Sequence, residues 1–140
     1  MSRIFWGTNL FVYLFGDFGP LSERVRVIRR KMLDRGDQLL TSTFTLGELL
    51  VKPVERGAAD LCNRYEQALV KSAILLPFDL KAATQYARLR CDRTLKPPDA
   101  IQLACASAAR VDLFITNHER LVKKRVEGIQ FVTSLLGAPL

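Results

Sequence analysis

Short apolar runs alternate along this chain with longer segments of helical period. Residues 3–6 (RIFW) form a short apolar strand, and residues 9–16 (NLFVYLFG), apolar on every side, form a buried helix stopped by Gly16. Residues 20–36 (PLSERVRVIRRKMLDRG) open on proline and close on glycine, the punctuation of a helix. A second strand is predicted over 37–43 (DQLLTST), a short helix over 45–53 (TLGELLVKP) ended by Pro53, and a longer helix over 55–72. Residues 73–78 (AILLPF) give a third strand, and Asp79 can cap a helix over 80–90. Residues 97–110 (PPDAIQLACASAAR) form a small-residue helix suited to tight packing. A fourth strand over 111–116 (VDLFIT), a short helix over 117–124 and a last strand over 128–133 (GIQFVT) complete the pattern.

Strands separated by helices imply crossover connections and a parallel sheet covered on both faces. The expected architecture is an α/β three-layer sandwich with a mostly parallel central sheet of four to five strands, built as a single domain over residues 1–140. In such sheets the working residues gather beyond the carboxyl ends of the strands. That rule selects Gly7-Thr8-Asn9, Thr41-Ser42-Thr43 and Thr116-Asn117-His118, with the acids Glu48 and Asp99 close by in sequence. Each has a plainer explanation. Thr45 with Glu48, and Thr116 with Glu119, fit capping boxes. Asp99 after Pro97 and Pro98 can simply complement a helix N-terminus. These local explanations do not account for polar segments converging on one end of one sheet.

Composition narrows the classes. Apolar residues make up 49% and charged residues 25%, a globular balance. The net charge of +7 attracts polyanions, nucleic acid above all, or an acidic protein, although the clusters Arg24–Arg35 and Arg120–Arg125 also read as solvated helix faces. Three scattered cysteines, Cys62, Cys91 and Cys105, without a C-x-x-C pair, argue against a disulfide frame or zinc knuckle and read as reduced thiols packed on helices. No apolar run approaches the roughly 20 residues of a membrane span. The N-terminus lacks a signal-peptide layout, so the expectation is a cytoplasmic protein without a membrane partner. A small-molecule dinucleotide enzyme is disfavoured, since no G-x-G-x-x-G follows the first strand.

Four stretches together resemble the PIN-domain family, and within it the VapC-type toxin ribonucleases of type II toxin–antitoxin systems: GTNLFVYL from Gly7, STFTLGELLVKP with Glu48, LKPPDAIQLACA with Asp99, and LFITNHERL with His118. The resemblance covers nearly the whole chain. It implies a PIN-like sandwich, a metal-dependent endoribonuclease using Mg²⁺ or Mn²⁺, an RNA substrate, a cognate antitoxin that blocks the site, and a homodimer. Glu48 and Asp99 match the metal-binding acids. Thr8, Asn9, Thr116 and Asn117 match the polar groups that orient ligands, water or phosphate.

Two positions depart from the family pattern. Gly7 stands where the family has its first aspartate, and His118 stands where it has its fourth acid. Glycine supplies no ligand, while histidine suits Mn²⁺ or a softer metal better than Mg²⁺. The site therefore carries fewer negative charges to hold a cation. Glu119, the neighbouring acid, is expected to point elsewhere. Glycine and aspartate codons differ by one base and the rest of the motif is intact, so Gly7 reads as a change that disarms the site. Three readings stay open: a ribonuclease toxin, active or weakened; a degenerate PIN domain that binds RNA or an antitoxin without cleavage; and a toxin-like subunit whose main role is to hold an antitoxin. The aromatic-rich stretch Leu10–Phe18 exceeds what a core requires, and any exposed part of it is expected at a dimer or antitoxin surface.

Overall fold

The computed structural model describes residues 1–140. Five parallel strands, β1 (Arg3–Trp6), β2 (Gln38–Ser42), β3 (Ile74–Leu76), β4 (Val111–Thr116) and β5 (Ile129–Ser134), form one sheet in the order β3-β2-β1-β4-β5. The helices are α1 (Thr8–Phe15), α2 (Pro20–Arg35), α3 (Thr43–Glu55), α4 (Ala59–Ser72), α5 (Leu80–Leu89) and α6 (Pro97–Ala109).

The sheet is central because its strands are apolar on both faces. Along β1, Ile4 and Trp6 enter a core with Leu10 and Phe11 of α1 and Val25, Ile28 and Met32 of α2. Phe5 points the other way, into a core with Leu103 and Ala106 of α6. Phe5 pairs in register with Phe114 of β4, and their rings stack at 4.9 Å. Period-two alternation thus sends successive β1 side chains into separate layers. Alanines 100, 104 and 106 are fully buried on α6. Small side chains let this helix approach the sheet closely, which brings Asp99 and Gln102 to the strand ends.

Three local expectations are corrected. Pro53 does not end α3: it lies in the last turn and the helix continues to Glu55, since its fixed φ is helical, it forfeits one bond to the preceding turn, and the Arg56 N–H still donates to the Lys52 carbonyl at 3.1 Å. The next helix begins at Ala59 rather than at residue 55, because Gly57 adopts φ +64° and breaks the chain direction. The helix expected over 117–124 shrinks to a 3-10 turn at Glu119–Leu121. Asp79 caps α5 as expected, its carboxylate accepting from the Ala82 N–H at 2.9 Å. The cysteines are all free; Cys105 is buried on α6, whereas Cys91 lies exposed after α5. Burial pushes the Cys105 thiol up to about 11, with Asp79 adding to the effect.

Candidate functional site

The sheet order places β1 beside β4, and the chain leaves these two strands in opposite directions across the sheet. A crevice must open at their carboxyl ends. A cavity of about 130 Å³ occupies it, and its lining contains eight of the eleven residues singled out in the sequence: Gly7, Thr8, Asn9, Glu48, Asp99, Thr116, Asn117 and His118, while Thr41, Ser42 and Thr43 lie outside it. Glu119 is exposed and outside the lining.

Gly7 forms the junction between β1 and α1, its N–H donating to the Ile115 carbonyl at 3.0 Å. Its φ of −68° and ψ of 166° are ordinary extended values. A Cβ there would lie 3.7 Å from the Ile115 carbonyl and 4.0 Å from Thr116 Oγ1, normal contact distances. The position therefore accepts a side chain.

Glu48 does not serve a capping box with Thr45. The N-cap of α3 is Ser42, whose hydroxyl accepts from the Thr45 N–H at 3.2 Å. The Glu48 carboxylate instead accepts from Thr8 Oγ1 at 2.5 Å. Thr8 in turn accepts from Gln102 Nε2 at 3.1 Å. Gln102, buried on α6, also donates to Thr45 Oγ1 at 2.8 Å and accepts from Ser42 Oγ at 2.5 Å. Thr41 adds a hydroxyl bond to the Trp6 carbonyl at 2.9 Å. A neutral buried network thus reaches from the core to one acid of the cavity.

Asp99 is held differently. Its side chain is only 7% exposed, and both oxygens are taken: Oδ2 accepts from the Arg120 guanidinium at 2.6 Å and Oδ1 lies 3.0 Å from His118 Nδ1. A carboxylate paired with arginine only accepts, so His118 Nδ1 carries a hydrogen in this contact. The plainer explanation of Asp99 as a mere helix-end charge is therefore incomplete. Thr116 Oγ1 accepts from the His118 N–H at 3.0 Å, which replaces the capping box expected with Glu119. Asn117 Nδ2 donates to the Tyr13 hydroxyl at 2.6 Å, tying β4 to α1.

Sequence reasoning missed Gln102 and Arg120. Gln102 follows Asp99 by three positions, one helical turn, and that spacing was a usable signal. Arg120 had none, since it sits within a basic run.

The residues present do not fit the divalent cation that the resemblance implies. Mg²⁺ and Mn²⁺ seek several oxygen donors. Here only two carboxylates face the cavity, and the oxygens of Asp99 are engaged by a cation and an imidazole. No group of three or more His, Cys, Asp and Glu side chains is placed to hold a metal ion. Glu48, Asp99 and His118 share the cavity lining without forming such a group.

An all-parallel sheet with acids and small polar residues at its carboxyl edge defines a class of α/β site proteins. The family model of the PIN domain matches residues 4–127, and the chain belongs to that family. No curated protein sequence matches it significantly. Among solved structures it is similar to DNA-bound VapBC from Salmonella typhimurium, with 18% identity, 96% of this chain and 99% of the other covered, and a TM-score of 0.73. It is also similar to VapBC2 from Rickettsia felis bound to a promoter DNA fragment, with 15% identity, coverage of 94% and 98%, and a TM-score of 0.71. A toxin–antitoxin complex from Klebsiella pneumoniae matches at 22% identity, coverage of 90% and 94%, and a TM-score of 0.64. At these identities the likeness carries the fold. No helix of the chain is long and apolar enough to cross a membrane.

Proposed function

We propose that residues 1–140 form the toxin member of a toxin–antitoxin pair, a PIN ribonuclease whose cleavage is weakened or lost because Gly7 replaces a carboxylate. The observation that carries this reading is the room at Gly7: an unstrained backbone, and normal contact distances for a Cβ on the wall between Thr8 and Thr116. The cavity retains its small polar lining, and Gly7 and His118 are its two departures from the family's acids. Thr8 orients Glu48, while Asn9, Thr116 and Asn117 offer neutral donors and acceptors to the phosphates and hydroxyls of a splayed RNA strand.

Gly7→Asp tests it. Both proteins are purified and given structured RNA with Mn²⁺ or Mg²⁺ and an EDTA control. A third carboxylate gives a divalent ion a seat, and such an ion supplies water activation and charge stabilisation at phosphate. The variant is expected to cut at least about 100-fold faster than the parent, and only with metal. A second reading, a domain that holds RNA or a partner without cutting, is favoured by the occupied oxygens of Asp99. No cleavage by Gly7→Asp across a panel of structured RNAs decides for it.

The antitoxin has a candidate seat. An open groove of about 710 Å³ runs between α1 and α3–α4 and shares Thr8, Asn9 and Glu48 with the cavity. Val12, Phe15, Phe18, Val51 and Tyr65 give it an apolar lining, with Lys52 and Arg56 beside them. The first-helix stretch is buried at Leu10 and Phe11, but Phe18 is 49% exposed. An apolar, acid-flanked antitoxin segment fits this surface and reaches the cavity from it. Val51→Asp, at an exposed position, is expected to abolish co-purification of the co-expressed partner. Undiminished co-purification removes the groove from the reading. A cytoplasmic homodimer belongs to the same proposal.

A further inference from the structure

The cavity raises a question that the family's chemistry leaves unanswered: what neutralises Asp99 here? A carboxylate 7% exposed needs a counter-charge or several hydrogen bonds. Arg120 supplies the charge at 2.6 Å. Its placement is not that of a free surface side chain. Leu121, the next residue, is 2% exposed and packs in the core with Phe5, Leu103 and Phe114. The Leu121 N–H also donates to the His118 carbonyl at 3.0 Å, closing the turn. The anchored turn delivers the guanidinium onto Asp99 Oδ2. Only one guanidinium nitrogen is spent on Asp99, and the side chain remains 49% exposed. On its other side Arg120 lines an open depression with Thr94, Leu95 and Lys124. Lys124 brings a second cation there, held at 2.7 Å from Asp92 and 2.6 Å from Thr94 Oγ1.

We infer that Arg120 is the built-in cation of this site: it neutralises Asp99 where a divalent ion would otherwise do so, and it offers its remaining N–H groups to a backbone phosphate of single-stranded nucleic acid. A guanidinium is permanently charged and matches both carboxylate and phosphate in geometry. The inference rests on the proposed RNA reading for the identity of the phosphate, but not for the pairing with Asp99. It adds a second cause of the poor fit to metal beside the missing carboxylate at Gly7, because the buried acid of the cavity is already compensated.

The full chain and Arg120→Met are compared in two titrations. Mn²⁺ binding is followed by the loss of the free-ion electron paramagnetic resonance signal. Binding of a labelled single-stranded oligoribonucleotide is followed by fluorescence anisotropy in EDTA, over a range of salt concentrations. Removing the guanidinium is expected to tighten Mn²⁺ about tenfold or more, because Asp99 is freed. RNA binding in EDTA is expected to weaken several-fold, with the salt slope falling by about 0.7, the value of one single-strand phosphate contact. Arg120→Lys keeps the charge and is expected to exclude Mn²⁺ as the parent does, which also covers the case of an unfolded methionine variant. Equal Mn²⁺ affinity in the parent and Arg120→Met, or entry of Mn²⁺ into Arg120→Lys, overturns the counter-ion. An unchanged RNA affinity and salt slope overturns the phosphate contact. A parent that binds no RNA, paired with a methionine variant that gains Mn²⁺, defeats the RNA reading while upholding the pairing.

Discussion

Across one cavity, Glu48 takes its hydrogen bond from a neutral threonine that leans on a buried amide, whereas Asp99 takes two contacts from cationic or ionisable groups on a surface turn. The first arrangement fixes a carboxylate without cancelling its charge. The second cancels the charge and fixes the carboxylate by the same act. A site that must attract a cation gains from the first kind of support and loses from the second. The two halves also differ in what they rest on. Ser42, Thr45 and Gln102 are buried among packed helices, while His118 and Arg120 belong to a 3-10 turn and its approach, with their side chains 39% and 49% exposed.

That contrast predicts unequal costs of disruption. Gln102→Ala removes the partner of Ser42 Oγ, a donor to Thr45 and a donor to Thr8, all inside the fold. Unmade buried hydrogen bonds and the space left behind are expected to destabilise the chain by about 2–3 kcal/mol, read as a clear fall in thermal midpoint. Asp99→Asn keeps the shape and an acceptor, and its partners are open to water. Its expected cost is within about 1 kcal/mol. Equal losses from the two variants would break the distinction drawn between the halves.

The same contrast explains what was legible in the sequence. The elements with strong punctuation, Pro20 to Gly36 and Asp79 to Ala82, end where their caps dictate. Pro53 misled because a proline's fixed φ is itself helical, so its cost, one bond forfeited to the preceding turn, does not stop α3 from running two residues further. Six of the cavity residues, in the segments after β1 and β4, were legible because short polar segments after apolar strands converge geometrically in a parallel sheet, although Thr41–Thr43, selected by the same rule, stays outside the lining. The partners of those residues were less legible. Gln102 sits in an alanine-rich helix whose pattern reads as packing, and its role exists only where α6 meets Ser42 and Thr45. Arg120 looks like its neighbours Lys123, Lys124 and Arg125, and a turn of three residues decides that it alone reaches Asp99.

Beside the charged half runs a strap, where Lys124 joins the Asp92–Thr94 turn to the segment following Arg120. The hydrogen bond from Lys124, followed by those from Thr94, lowers the Asp92 carboxyl to about 2 from an ordinary value of 3.8. A depressed carboxyl stabilises the folded chain above its unfolded value, so this contribution is present above about pH 4 and fades as pH falls towards 2. The Asp92 side chain is half-exposed, and salt is expected to screen most of the effect. Asp92→Asn should therefore flatten the acid limb of thermal stability slightly between pH 4 and 2 at low ionic strength, and not at high ionic strength. Parallel acid limbs for parent and variant at low ionic strength would mean that the strap adds nothing to the fold or to the placing of the turn. Arg120 would then owe its place to the burial of Leu121 alone, and the counter-ion would be anchored by the core rather than by the surface charges around it.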